Sequence, residues 1–213
     1  MKAIRIHVRG EPDVMTLEEI GTPVPREGEV LIKVAVAGVN YSDVGQRKGN
    51  YPNLVELPTT LGNEVAGTIV AQGPGVSVPA LGTRVVSLVD DGYAEYAVAR
   101  AQMVIPLLDE ITYSQAVVLP IQGQTAYLLL QKAARLQKGE RILIHAASGG
   151  VGSLAVQLAR ILGADMIIGA AHTPDKLEFI RSLGADVAIN TRQSSAYRIR
   201  RSHALYVSRA EHV

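Results

Sequence analysis

The sequence predicts two joined folds: a β-rich first part shaped as a barrel or sandwich, and an α/β second part built on a parallel sheet. Three observations carry this. Up to about Leu119, short β-prone runs are broken every few residues by Gly and Pro. Beyond Pro120 the apolar residues recur at helical spacing. From Arg141 onward strands and helices alternate as β-α-β-α-β, which implies parallel strands joined by right-handed crossovers.

In the first part, strands are expected over 2–8, 28–39, 64–73, 83–88 and 93–98, a spacing that suits a compact barrel or sandwich. One short helix is expected from Ser42 to Lys48, with Ser42 as its cap and Gly49 as its end. In the second part, Ala126, Leu129, Leu130, Ala133, Ala134 and Leu136 predict a helix that stops at Lys138 and Gly139. A strand over 141–146 follows, then a glycine-rich turn into a helix with Val151, Leu154, Leu158 and Ile161 on one face. A buried strand over 165–171 comes next. Thr173 as N-cap, Pro174 at the first helical position and Gly184 just past the end frame another helix, and 185–190 is the last clear strand. The predicted domains are 1–118, 119–191 and an arginine-rich tail, 192–213.

Composition narrows the function. A net charge of +1 gives no general attraction to nucleic acid or anionic lipid. No apolar run approaches the ~20 residues that cross a bilayer, and the first ten residues lack the pattern of a secretion signal, so a cytoplasmic location is expected. Without cysteine there are no disulfides and no thiolate zinc ligands. The histidines, at 7, 145, 172, 203 and 212, show no paired ligand spacing, so no metal site is expected. Arg192, Arg198, Arg200, Arg201 and Arg209 concentrate positive charge in the tail. A solvated tail is the favoured reading there, over a nucleic-acid contact through Arg198, Arg200 and Arg201.

The stretch His145–Gly152, HAASGGVG, joins a strand to a helix where a dinucleotide's pyrophosphate would lie. It fits G-x-G-x-x-G with Ala147, Gly149 and Gly152 at the three positions. The middle glycine lets the backbone approach a phosphate, the third lets the helix pack on the strand, and the N–H groups around Ser148, Gly149, Gly150, Val151 and Gly152 face the anion. An NAD site usually has an acid about 20 residues on; Gly169, Ala170 and Ala171 stand there instead. Thr173 and Lys176 follow, and a lysine attracts a 2′-phosphate, which favours NADPH. Lys176 reads equally as an ordinary surface lysine.

Several blocks in order then resemble the zinc-independent quinone oxidoreductase branch of the medium-chain dehydrogenase/reductase superfamily. They are GVNYSD (38–43), KGNYP (48–52), LGNEVAGTIVAQGPGV (61–76), GTRV (82–85), GYAEYA (92–97), GQTAYLLL (123–130), KGERILIHAASGGVG (138–152) and LGADVAIN (183–190). The resemblance implies a GroES-like β barrel followed by a Rossmann domain, with the active site in the cleft between them. It also implies hydride transfer from NADPH to a quinone or enone, with hydrogen-bond donors stabilising the developing oxyanion. Zinc-dependent relatives have ligands at the positions of Asn40 and Asn63, and both are replaced here.

By the same resemblance Asn40 and Tyr51 are the catalytic candidates, with Tyr41 a weaker one. Asn40 reads equally as a turn residue bonding its own backbone, and Tyr51 as an aromatic lid over the cleft. Thr125 resembles the residue that seats the nicotinamide half of the cofactor, and His145 reads as structural. Family members are commonly homodimers.

The resemblance covers residues 1–190 and is not recognisable from Arg192 onward. Where the family often has a tyrosine near the 2′-phosphate, this chain has Thr191. The Rossmann domain therefore reads as incomplete and C-terminally truncated, with the strand over 141–146 as an unprotected sheet edge. A frameshift, a truncation and a trimmed form all fit. The alternative function is an inactive or structural remnant with at most residual dinucleotide binding.

Overall fold

The apolar run that follows Pro25 becomes an inner strand of the larger sheet in the first part. The computed structural model describes residues 1–192 and the strand Val207–Arg209, and the chain divides into two units, Met1–Pro120 and Ile121–Val213. In the first unit, β3 (Glu29–Ala37) buries Val30 and Ile32 completely and pairs antiparallel on either side with β5 (Glu64–Gln72) and β7 (Tyr96–Arg100). With β6 (Arg84–Leu88) and β8 (Ile105–Pro106) they form a five-stranded sheet in the order β7-β3-β5-β6-β8. A second sheet, β2-β1-β4, holds β1 (Lys2–Ile6), β2 (Thr16–Glu19) and β4 (Thr59–Thr60). A single bridge, Ala3 to Ala94, joins β1 to the segment before β7. The expected barrel is thus two open sheets, with no closed barrel among the described residues, because one bridge replaces a full closing ladder.

Helix α1 (Tyr41–Lys48) begins one residue earlier than expected, and its cap is Asn40, which corrects the assignment of Ser42. Asp43, three residues on, accepts the Asn40 backbone N–H at 2.8 Å on Oδ2, and its own N–H donates to the Asn40 carbonyl at 3.0 Å. Ser42 has no such reciprocal partner. Gly49 ends the helix at φ +80°. A one-turn helix, α2 (Tyr113–Ala116), is capped by Thr112.

The second unit opens on a helical path that is not uniform. α3 (Gln124–Leu128) is flanked by two wide turns, Leu119–Gly123 and Leu129–Ala133, in place of the single expected helix. Ala126, Leu130 and Leu136 still face the core. Then come β9 (Arg141–Ile144), α4 (Gly150–Ile161), β10 (Met166–Ala171), α5 (Pro174–Ser182) and β11 (Val187–Asn190). β9, β10 and β11 are parallel, and their inner faces pack on Ala155, Val156, Ala159 and Ile180. Both α4 and α5 run out into the same four residues, Leu-Gly-Ala-Asp, with Gly163 and Gly184 at φ +88° and +107°.

The expectation that β9 is a bare edge is corrected. β12 (Val207–Arg209) lies antiparallel against it, with Val207 opposite Ile144 and Arg209 opposite Ile142, giving the order β11-β10-β9-β12. An unpaired edge offers backbone donors and acceptors to any extended segment, whatever its side chains, and here the tail supplies one. The arginines at 198, 200 and 201 lie outside the described residues.

Candidate functional site

The glycine cradle sits at the carboxyl end of β9. Ala147 N–H donates to the Ala170 carbonyl at 3.1 Å, and Gly149 N–H to the Ala146 carbonyl at 2.9 Å. The chain therefore reverses at Ala146, which takes φ +48°, so the strained residue is Ala146 and not Ala147. Gly149 is the extended N-cap of α4, and Gly150, Val151 and Gly152 form its first turn. A Cβ on Gly152 would collide with the Ala146 carbonyl oxygen and stand 2.8 Å from Ala147 Cα. That is the close helix-on-strand packing expected of the third motif glycine. At Gly149 the nearest atom to such a Cβ is the Ala146 oxygen at 3.3 Å, so the approach to its backbone is otherwise open. An open glycine, three helix-start N–H groups and a turn anchored by the buried Ala147 fit a pyrophosphate. Ser148 is half-buried within this turn.

At the end of the next strand the described residues present no acid. Thr173 is the extended N-cap of α5, and its side chain makes no capping bond. Lys176, in the first turn, is exposed. Thr191, just past the end of β11, donates from both its N–H and its Oγ1 to the Ala171 carbonyl, at 2.9 and 3.2 Å. His145 is half-buried, and burial pushes its imidazole below the usual histidine range. Thr125 is exposed and gives its hydroxyl proton to the Ile121 carbonyl at 2.6 Å, one helical turn back.

In the first unit Asn40 is buried and does more than cap α1. Its Nδ2 donates to Glu64 Oε1 at 2.8 Å, and Glu64 has no exposed surface at all. Gly38 makes room for this: a Cβ there would run into the Glu64 carboxylate. Asp43 Oδ2 accepts a second bond, from Tyr93 Oη at 2.7 Å, while Asp43 Oδ1 is buried without a hydrogen-bond partner. Burial, then the bond to Asp43, push the Tyr93 hydroxyl far above the usual phenol range. Tyr51 packs against Gly45 of α1, with Cδ2 3.1 Å from where a Cβ would stand, and is 40% exposed. Tyr41 is exposed. Asn63 is exposed, and its carbonyl accepts from Val89 N–H at 3.1 Å.

Sequence reasoning passed over Asp43, Glu64 and Tyr93. The first was legible as an acid three residues after an asparagine cap. The pairing of Glu64 with Asn40 joins residues 24 apart and has no local signal. Among the described residues no three His, Cys, Asp or Glu side chains come together to hold a metal, and no helix is long and apolar enough to cross a membrane.

Residues 26–109 match the alcohol dehydrogenase GroES-like domain, and residues 150–205 match the zinc-binding dehydrogenase family. The chain belongs to the medium-chain dehydrogenase/reductase superfamily. The relatives it resembles include quinone oxidoreductases. It is similar to human quinone oxidoreductase, 38% identical over 196 residues that make up 91% of this chain and 59% of that protein. It is similar in structure to Escherichia coli quinone oxidoreductase complexed with NADPH, with a TM-score of 0.86, 33% identity, and coverage of 92% of this chain and 60% of that one. Polyketide synthase GfsB of Streptomyces halstedii is 42% identical over 160 residues, which are 75% of this chain and 3% of that protein. The chain spans about three fifths of the curated quinone oxidoreductases it matches. The family match reaches residue 205, beyond Thr191, which corrects the expectation that the resemblance stops before Arg192.

Proposed function

We propose that this chain belongs to an NADPH-dependent oxidoreductase that reduces quinones or related enones by hydride transfer without zinc. The observation that carries the reading is the cradle: Gly152 barred from any side chain by the Ala146 carbonyl, Gly149 open, and the first turn of α4 aimed at the same point. Ser148 to Gly152 would hold the pyrophosphate. Thr173 and Lys176, at the carboxyl end of β10, would hold the 2′-phosphate, where an acid would repel it. When bound, NADPH supplies the hydride.

Asn40 and Asn63 stand where zinc-dependent relatives have ligands, and neutral carboxamides are poor zinc ligands, which supports chemistry without that metal. Charge developing on the substrate oxygen then needs a hydrogen-bond donor. Tyr51 is the accessible donor, and Asn40, oriented by Glu64, is the buried one. Thr125 acts on the cofactor side by fixing the turn that precedes α3. A cytoplasmic location, a homodimer and the domain limits 1–118, 119–191 and 192–213 go with this reading.

The test is NADPH oxidation by the 213-residue chain with a simple quinone, run beside thermal shifts with NADPH and NADH. The expected result is turnover, a larger shift with NADPH, and loss of turnover but not of the shift in Tyr51→Phe. A shift without turnover would match the non-catalytic reading, and neither shift nor turnover would overturn the proposal.

A further inference from the structure

Beside the cradle lies a side chain that the glycine motif does not include. The carboxamide of Gln122 rests against Gly150, the first residue of α4: a Cβ built on Gly150 would stand 2.5 Å from Gln122 Oε1, 2.8 Å from Cδ and 3.2 Å from Nε2. The lack of a side chain on Gly150 lets the carboxamide lie next to the start of the helix. The N–H groups of Gly150, Val151 and Gly152 have no acceptor inside α4, whose first internal bond runs from Ser153 N–H to the Gly149 carbonyl. A carboxamide suits such a place because it carries an acceptor and two donors on one planar group. Its oxygen can face the amides of the free helix start, and its NH2 can face an anion once one occupies them.

The position of Gln122 is set from two sides. It lies in the wide turn Leu119–Gly123, and the Thr125 hydroxyl bonds the carbonyl of the neighbouring Ile121 at 2.6 Å, tying that turn to α3. α3 in turn packs on α4. Gln122 is half-buried.

We propose that Gln122 is a cofactor-positioning residue whose Nε2 donates to the pyrophosphate of a bound dinucleotide. The inference rests on the functional reading above. It gives Thr125 an indirect task, as the residue that holds Gln122 in place.

The test is NADPH affinity of the full 213-residue chain by calorimetry, in wild type, Gln122→Leu and Gln122→Glu, with adenosine 2′-monophosphate as a second ligand that lacks the pyrophosphate. Gln122→Leu keeps the bulk and removes the donor, and weakens NADPH binding about tenfold, as loss of a hydrogen bond to a charged group does. Gln122→Glu weakens it further, with a loss that shrinks as salt rises. Adenosine 2′-monophosphate binds all three proteins alike, which a general loss of structure would not allow. Equal NADPH affinity in wild type and both variants overturns the assignment of Gln122 alone. Failure of the wild type to bind NADPH overturns the functional reading and this inference with it.

Discussion

Asn40 Nδ2 and Glu64 Oε1 meet at 2.8 Å, between a carboxamide that is 8% exposed and a carboxylate that is not exposed at all. The bond orients Asn40, one of the two candidate donors, from a strand on the other side of Gly38. Removing the acceptor leaves a buried donor facing a void. Glu64→Ala is expected to cost about 3 kcal/mol, combining the lost bond with the cavity, and the near-isosteric Glu64→Gln about 1 kcal/mol. Urea unfolding midpoints decide it, and equal costs for the two variants would deny that the pairing matters.

Gly152 offers a sharper steric test. The atoms in the way of a Cβ belong to the backbone of Ala146 and Ala147, which cannot rotate aside. Gly152→Ala is therefore expected to push α4 off β9, at about 3 kcal/mol, the upper part of the range for overpacking. The same shift displaces the first-turn N–H groups. Loss of the NADPH thermal shift should accompany the lower melting temperature; a variant that melts normally and still responds to NADPH would contradict this account of the cradle.

The parts of this fold that the sequence made legible are those set by local rules. Thr173, Pro174 and Gly184 mark the ends of α5 in the structure as they do in the sequence, β3, β5 and β10 are long and apolar enough to announce themselves, and the short β9 is marked by the apolar run that leads into the glycine turn. Ser42 was misread as a cap because the decision belonged to Asp43, whose carboxylate reaches back to Asn40. β2, β4 and β8 gave no signal, being four residues or fewer and paired through the backbone. β12 is of the same kind: an edge recruits whatever strand the chain can bring, so its partner is not written in side chains. At the site, the glycines were visible and their neighbours were not. Gln122 is 28 residues from Gly150, and no spacing rule connects them.

In the proposed function Lys176 carries the preference between cofactors. It is exposed in the first turn of α5, with Thr173 at the cap. Lys176→Ala is expected to weaken NADPH binding about tenfold at low salt and to leave NADH binding unchanged, because only NADPH has a 2′-phosphate for the lysine to hold. Calorimetry at two salt concentrations checks it. A parallel loss with NADH would mean that the residue supports the helix and does not read the phosphate.

Asp186 gives the second unit a pH dependence of known sign. Its Oδ2 accepts from the backbone N–H of Ile167 at 2.7 Å and from Arg160 at 2.6 Å, so one oxygen ties β10 to the end of α4. The Ile167 N–H first, and then the Arg160 guanidinium, hold this carboxyl below the usual carboxylate range. The folded chain therefore binds fewer protons at this site than the unfolded chain. Its contribution to stability is complete above the ordinary carboxyl pKa of about 4 and is lost as the pH falls through the lower folded value. The side chain is 41% exposed, which keeps the contribution near 1 kcal/mol after screening by solvent. Asp186→Ala should thus lower the urea midpoint at pH 7, and the gap between variant and wild type should close as the solution is acidified below pH 4. A gap that stayed constant with pH would assign the loss to packing and not to the charged bonds at Ile167 and Arg160.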